Sequence, residues 1–149
     1  MSAVLTVIAI VVVGMLVGVE LAVAVFVNPI LDRLPDDGGL AARSDGARVL
    51  GRVMPFWYFL SVALAVVVAI AVQGAAPTTL AVAAAALLAT TVVLAITVLV
   101  PINDQVKTWS TGDHPADWKV QVRRWDRWHV LRVALITAAF ALLATVPFT

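Results

Sequence analysis

Three side chains that can carry out chemistry are spaced to share one face of a helix. Trp125, His129 and Arg132 stand at positions i, i+4 and i+7, a spacing that stacks residues along one side of an α-helix. Imidazole can accept a proton near neutral pH, and an Arg one turn away disfavours its charged form. We therefore predict His129 as a neutral proton acceptor, with Arg132 beside it. The competing interpretation is an interfacial belt, with Trp among lipid headgroups and Arg reaching lipid phosphates.

Two asparagines are predicted to face the same site. Asn28 precedes Pro29 at the end of one apolar run, and Asn103 follows Pro101 at the end of another. Paired side-chain amides that face one cavity could donate hydrogen bonds to a ligand carbonyl or oxyanion. We predict Asn28 and Asn103 as catalytic residues of this kind, and an amide that caps free helix carbonyls is the alternative.

The tryptophans are distributed unevenly. All five lie on one predicted side of the membrane, whereas ordinary aromatic belts mark both interfaces; they are Trp57, Trp109, Trp118, Trp125 and Trp128. Flat rings suit a flat aromatic ligand, because each stacking contact adds about 0.5–1.5 kcal/mol beyond area burial. We predict Trp109, Trp125 and Trp128, together with Met54, as substrate-binding residues. Anchoring of the polar loops is the alternative.

One acidic residue interrupts the apolar sequence. Glu20 lies eight residues before Asn28, which places it about 12 Å inside the membrane at the helical rise per residue. An acid at this depth is expected to be protonated or paired with an Arg or a His. A structural carboxyl group that joins two helices is the alternative, and we expect Glu20 to matter less to the chemistry than His129. On the same helix, Gly14 and Gly18 form a GxxxG motif for close packing within the bundle or between protomers.

The composition identifies the kind of scaffold that must position these residues. Of the 149 residues, 62% are apolar and 13% are charged, whereas roughly a quarter of an average soluble domain is charged. A soluble globule is therefore excluded. Runs long enough to cross a hydrocarbon core of about 30 Å predict an all-α, polytopic four-helix membrane bundle in a single domain, residues 1–149, with the lipid bilayer as its partner. The spans are about 3–27, 53–73, 78–102 and 128–147, separated by polar loops at 28–52 and 103–127. The fourth span is expected to be preceded by a helical stretch from Trp118.

The charges predict an orientation. All ten Lys and Arg residues lie within 28–52 or 103–132, and cytoplasmic loops carry such an excess. We predict an integral plasma (inner) membrane protein with both polar loops cytoplasmic and both termini outside. The first run lacks the basic start of a secretory signal, so we expect it to remain in the mature protein. A net charge of +1 implies no nucleic-acid partner.

A shift of 75 residues aligns the two halves of the sequence. It pairs three polar residues with identical residues: Asn28 with Asn103, Arg48 with Arg123, and Arg52 with Arg127. We therefore predict two tandem hairpins related by a parallel repeat. At equivalent positions, one copy has Met54 where the other has His129, and Glu20 corresponds to Ala95.

Few residues could hold a metal ion or a haem. The sequence has no Cys and two His, and Glu20 is the only acidic residue in the predicted spans. A di-iron bundle needs several carboxylates and Glu-x-x-His pairs. We predict no metal site and no cofactor, while Met54 and His129 together are left open as an incomplete copper or haem site.

The ordered set of motifs resembles the anthrone oxygenase-like family of small four-span membrane proteins. The resemblance covers nearly the whole chain and rests on Asn28-Pro29, Met54-Pro55, Pro101-Ile102-Asn103, Trp109, Arg124-Trp125, His129 and Arg132. It implies oxidation of a tricyclic anthrone to an anthraquinone with dioxygen. An anthrone is acidic at the carbon opposite its carbonyl, so the resemblance implies base-initiated oxygenation that needs no cofactor. His129 would be the base, and Arg132, Asn28 and Asn103 would stabilise the oxyanion.

Three functions are consistent with these sequence features. The first is an oxygenase-like membrane enzyme that acts on a small aromatic molecule with dioxygen. The second is a non-catalytic subunit, either a homo-oligomer or the partner of a membrane complex, packed through Gly14 and Gly18. The third is a small proton-coupled carrier that uses Glu20. A cavity lined by His129, Arg132 and both asparagines would favour the enzyme.

Overall fold

The computed structural model describes residues 2–149 and contains only helices and connections over that range. The six α-helices are α1 (Ser2–Ala22), α2 (Asn28–Leu31), α3 (Asp36–Ala71), α4 (Ala75–Leu94), α5 (Val100–Val106) and α6 (Trp118–Thr145). Two π-helical turns, Val23–Val27 and Ala95–Leu99, join α1 to α2 and α4 to α5, and a short 3₁₀ turn, Val146–Phe148, follows α6.

Four continuous helical segments are long and apolar enough to cross a membrane. We name them the first to fourth spans: Ala3–Leu31, Asp37–Ala71, Ala75–Val106 and Trp118–Phe148. Helix α1 packs against α3 and α6, and α4 packs against the same two helices. The expected all-α, four-helix membrane bundle is therefore confirmed.

The core of the bundle is built from small and branched side chains. Its fully buried members include Ala9, Val13, Leu16, Ala65, Val68, Ala81, Ala84, Leu88, Ile136, Ala139 and Leu143. Gly14 also belongs to this packing, because a Cβ atom there would lie 2.9 Å from Phe140 Cε2, whereas a Cβ at Gly18 would meet nothing within 4 Å. The GxxxG motif thus contributes one glycine to contact within the bundle.

The polar segment 28–52, expected to be a loop, is mostly helical. The connection between the first two spans is confined to residues 32–35, because α3 begins at Asp36 and runs for 36 residues. At 1.5 Å per residue, helix α3 is about 54 Å long, which is well beyond the thickness of a hydrocarbon core, about 30 Å. Its polar first half is stabilised by a second apolar cluster, in which Leu40 and Ala47 pack with Ile102, Val106, Trp109 and Val122. The segment is therefore helical because of its tertiary packing, although its glycines and aspartates favour turns.

The second polar segment, 103–127, is an irregular connection only in its middle and is helical at both ends. Helix α5 continues to Val106, irregular chain follows, and α6 begins at Trp118, where the sequence predicts a helical stretch. The long connection, residues 107–117, contains one isolated β-bridge between Ser110 and Asp113.

The helix distortions of the first and third spans each precede a proline. The Asn28 N–H bonds the Val23 carbonyl, and the Val100 N–H bonds the Ala95 carbonyl, which widens one turn in each span. Proline lacks an N–H and its ring crowds the preceding turn, so Pro29 and Pro101 account for these π turns. Both turns border the cavity described below.

Eight pairs of buried positions are related by the 75-residue shift. In the first and third spans, four buried residues correspond to four buried residues: Thr6 to Ala81, Ala9 to Ala84, Val13 to Leu88, and Leu16 to Thr91. In the second and fourth spans, the corresponding buried pairs are Ala47 and Val122, Tyr58 and Val133, Ser61 and Ile136, and Val68 and Leu143. Pro29 and Pro101, by contrast, are 72 residues apart. The π turn of the third span therefore lies about one helical turn earlier than a shift of 75 residues from the first π turn would place it.

Candidate functional site

A partly open cavity of about 240 Å³ lies between the four spans near their charged ends. Seven of the nine residues singled out from the sequence line it: Glu20, Asn28, Met54, Asn103, Trp125, His129 and Arg132. Most of the remaining lining is apolar, and both π turns contribute to it. The bundle thus brings residues from distant parts of the sequence to one apolar chamber.

His129 is held in one tautomer by two contacts. Its Nε2 lies 3.1 Å from the Glu20 backbone carbonyl oxygen, and its Nδ1 lies 3.0 Å from Arg132 Nη2. A guanidinium only donates hydrogen bonds, so Nδ1 accepts one and Nε2 carries the hydrogen that is donated to the carbonyl. The basic nitrogen of His129 is therefore Nδ1, and His129 itself is 1% exposed.

Glu20 joins this pair. Its Oε2 accepts a hydrogen bond from Arg132 Nη2 at 2.7 Å and lies 3.2 Å from His129 Nδ1. The carboxyl group is buried, so the contact ties the first span to the fourth in the bundle interior. The partner that the sequence predicts for Glu20 is present, because one carboxyl oxygen lies beside both His129 and Arg132. That Glu20 matters less to the chemistry than His129 stays a prediction.

Two aromatic rings pack on this cluster. The Trp125 and His129 rings are stacked, with centroids 4.6 Å apart and planes at 15°. The Arg132 guanidinium lies 5.1 Å from the centroid of the Tyr58 ring, within the range of a cation–π contact. Tyr58 is the only tyrosine in the sequence, it is buried, and it also lines the cavity.

Three buried donor atoms in the wall lack a hydrogen-bonding partner among residues 2–149. They are Tyr58 Oη, Trp125 Nε1 and Arg132 Nε, and all three residues line the cavity. Tyr58 Oη lies near the Glu20 carboxyl group without reaching good hydrogen-bonding geometry. A buried unpaired donor costs about 1–3 kcal/mol, so a ligand oxygen that accepts these hydrogen bonds would be stabilised here.

A second polar network closes the charged end of the cavity. Asn28 Nδ2 donates to Asp126 Oδ1 at 2.9 Å. Arg43 binds both Asp126 oxygens at 3.3 Å and Asp32 Oδ1 at 2.7 Å. The Asn28 amide, expected to face a ligand, therefore uses one of its donors within the protein.

A model of the family described as anthrone oxygenase matches residues 47–142, well over half of the chain. The chain belongs to the anthrone oxygenase family. No curated protein and no solved structure was found to match it.

The family match in this anthrone oxygenase family member leaves out one residue of the cluster formed by Glu20, Tyr58, His129 and Arg132. Residues 47–142 include Tyr58, His129 and Arg132, whereas Glu20 lies in the first span, outside the match. The carboxyl group that holds Arg132 is therefore contributed by a segment that the family match leaves out.

Two of the expected tryptophans lie elsewhere in the protein. Trp109 is buried in the second apolar cluster with Leu40 and Val122, and Trp128 is 37% exposed. Neither lines the cavity. Trp128 directly precedes His129, so it points about 100° away around the helix.

Asn103 and Met54 differ in their surroundings. Asn103 is half-buried, and its side chain has no hydrogen-bonding partner in the described chain, so its amide can reach a ligand. Met54 is also half-buried and packs on the main core. Because both ring nitrogens of His129 have protein partners, a metal ion at Met54 and His129 would have to displace one of them.

Three residues were missed by sequence reasoning. Tyr58 and Arg43 line the cavity, and Asp126 binds Asn28 and Arg43 beside it. Tyr58 stands one helical turn after Met54 in an apolar span, which is a usable signal. Arg43 could have been found only by treating 36–52 as a helix, because it then shares a buried face with Leu40 and Ala47.

Proposed function

We propose that this member of the anthrone oxygenase family oxidises an anthrone-type or related phenolic aromatic molecule with dioxygen, without a cofactor, inside the cavity. The observation that carries the proposal is the buried Glu20, His129 and Arg132 cluster in the wall of a largely apolar chamber. The cavity, at about 240 Å³, is slightly smaller than the usual range of about 300–1,000 Å³ for ligand sites.

The cavity favours the enzyme over the two other functions. Its lining includes His129, Arg132, Asn28 and Asn103, the set expected for a catalytic site. Glu20 is 2% exposed and bound to Arg132, an arrangement suited to a fixed charge rather than to a carrier group that must alternate between two sides.

The first step is proton abstraction by His129. In the resting site, Nδ1 accepts a hydrogen bond from Arg132. When a substrate oxygen takes over that bond, Nδ1 is freed to remove the proton from the carbon opposite the carbonyl. Arg132 then stabilises the negative charge that develops on the oxygen. Glu20 Oε2, 3.2 Å from Nδ1, stabilises the imidazolium that forms.

The oxidation that follows is balanced without a further reactant. The electron-rich anion transfers one electron to dioxygen, and the radical pair combines through a new C–O bond to give a peroxide anion. This anion takes back the proton held by His129 and becomes a hydroperoxide, which restores the neutral base. Loss of water from the hydroperoxide leaves a second carbonyl on the ring. One oxygen atom of dioxygen enters the product and the other leaves as water. Trp125 and the apolar lining shield the radical pair from water.

The test is oxygen uptake by the purified protein in lipid nanodiscs with anthrone as the substrate. His129→Gln retains an N–H for the Glu20 carbonyl but has no basic nitrogen, so we expect turnover to fall about 10²–10⁴-fold. The matched control is His114→Gln, because His114 is exposed in the connection 107–117 and should leave turnover unchanged. Full turnover in folded His129→Gln protein would contradict the proposal.

We further propose that the charged end of the bundle is cytoplasmic. All ten Lys and Arg residues lie in 28–52 or 103–132, and the positive-inside rule assigns such segments to the cytoplasm. The sequence has no native cysteine, so single cysteines can be introduced at Asp37, Thr111 and Ala75. An impermeant maleimide should label the first two only from the cytoplasmic side and Ala75→Cys only from outside. The reverse pattern would refute the orientation.

A further inference from the structure

The cavity is bordered on one side by residues that also face outwards. Five lining residues are both exposed and apolar: Val27, Pro55, Phe59, Ile96 and Val100. Phe59 and Ile96 are each 58% exposed. Four of the five lie on the second and third spans, which pack against each other. We call Pro55, Phe59, Ile96 and Val100 the portal residues.

The two deeper portal residues, Phe59 and Ile96, lie well beyond the nearest charged residues of their spans. Phe59 is seven residues beyond Arg52, the last charged residue before it in the second span, and Ile96 is eight residues before Asp104. At 1.5 Å per residue these separations are about 10 and 12 Å. An opening at this depth faces hydrocarbon rather than water.

The charged end of the cavity is closed by contrast. Leu31, Arg43 and Val122 line both this cavity and a second one of about 280 Å³, whose lining also includes Asp32, Lys119 and Arg123. The wall between the two cavities is therefore formed by shared side chains. Arg43 is held in that wall by Asp32 and Asp126, and its side chain is 8% exposed.

We propose that the ligand of this protein is an uncharged aromatic molecule dissolved in the bilayer, which enters sideways between the second and third spans through the portal residues. The apolar rim admits rings and disfavours charge. The unpaired donors of Tyr58, Trp125 and Arg132 then select molecules with at least one acceptor oxygen. This route and this class of ligand rest on the proposed function, which assigns the cavity as the reactive site.

The test blocks the portal chemically. The chain has no native cysteine, so Ile96→Cys and Phe59→Cys can each be modified completely with N-benzylmaleimide, with completion checked by mass. The matched controls are Val93→Cys and Phe56→Cys, because Val93 and Phe56 are exposed on the same spans, at 60% and 79%, but do not line the cavity.

The readout is binding of 9,10-anthraquinone, an unreactive, uncharged tricyclic molecule with two acceptor oxygens. Quenching of tryptophan fluorescence is followed after rapid mixing with protein in phosphatidylcholine nanodiscs, and the signal of a Trp125→Phe variant is subtracted. We expect the modified portal variants to bind about tenfold more slowly, within the range that association rates span among variants. The modified controls should change less than about twofold on the same scale.

Any of three results would overturn the proposal. The first two are equal slowing at the control positions and no slowing at fully modified portal positions. The third is equally fast quenching by anthraquinone-2-sulfonate, whose charge should keep it out of a lipid-facing opening. Oxygen uptake with anthrone is measured in parallel: portal-dependent binding without uptake would leave the route intact and refute the oxidation, whereas uptake that is insensitive to modification would refute the route alone.

Discussion

The two hairpins of this protein share a packing pattern and differ in chemistry. Residues 2–71 and 75–148 bury corresponding positions along the 75-residue shift, and their first spans end alike, since Asp32 N–H bonds the Asn28 carbonyl at 3.0 Å and Lys107 N–H bonds the Asn103 carbonyl at 3.0 Å. At the cavity the corresponding residues diverge: Glu20 and Ala95, Met54 and His129, Trp57 and Arg132, and Tyr58 and Val133.

The divergence makes the two halves complementary. The second hairpin provides the imidazole and the guanidinium, and the first provides the carboxyl and the phenol that contact them. Neither hairpin alone contains a complete site. The packing positions share burial rather than residue type, since Leu16 corresponds to Thr91 and Ser61 to Ile136, whereas the cavity residues differ in the chemical groups that they offer.

The largest expected effect comes from breaking the link between the hairpins. Arg132→Met leaves the Glu20 carboxyl group buried without its partner, which typically costs about 3–5 kcal/mol. We expect a loss of this size in the free energy of unfolding, measured by titration with SDS in dodecylmaltoside micelles. The double variant Glu20→Gln, Arg132→Met should recover most of the loss, because the unpaired charge is then removed. Losses that simply add would show that the two residues do not act as a pair.

A smaller effect should separate the two corresponding asparagines. Asn28 donates to Asp126, so Asn28→Ala should lower the free energy of unfolding by about 1–3 kcal/mol. Asn103 has no side-chain hydrogen bond within residues 2–149, so Asn103→Ala should leave stability within about 0.5 kcal/mol and lower turnover of anthrone instead. The same unfolding titration and the oxygen-uptake assay distinguish the two outcomes. Equal effects of both variants on stability would contradict the assigned contacts.

The smallest expected effect concerns helix packing in the first span. A Cβ at Gly14 would meet the Phe140 ring at 2.9 Å, and a ring can shift, so Gly14→Ala should cost about 1 kcal/mol, the low end for overpacking. Gly18→Ala is the control, since nothing lies within 4 Å of its Cβ position. If Gly18→Ala proved the more destabilising of the two, the motif would act between protomers rather than within the bundle.

Local sequence was sufficient to predict the scaffold and the face that carries Trp125, His129 and Arg132, because both depend on spacing along a single helix. It was insufficient for α3. The glycines and aspartates of 36–52 favour turns, and the segment is helical because Leu40 and Ala47 pack against Ile102, Val106 and Val122, residues far away in the chain. For the same reason Trp109 was assigned to the cavity, whereas it belongs to that second cluster.

The sequence by itself determined four membrane-crossing helices, the gathering of every Lys and Arg at one end, and the chemical types available there. These properties follow from the length, hydropathy and period of continuous segments. Only the tertiary structure decided that Glu20 meets His129 and Arg132, which are 109 and 112 residues away, and that Asn28 binds Asp126 at a separation of 98. Such contacts depend on which helices lie side by side and on how each is rotated about its axis, and that choice is made by packing the whole bundle at once.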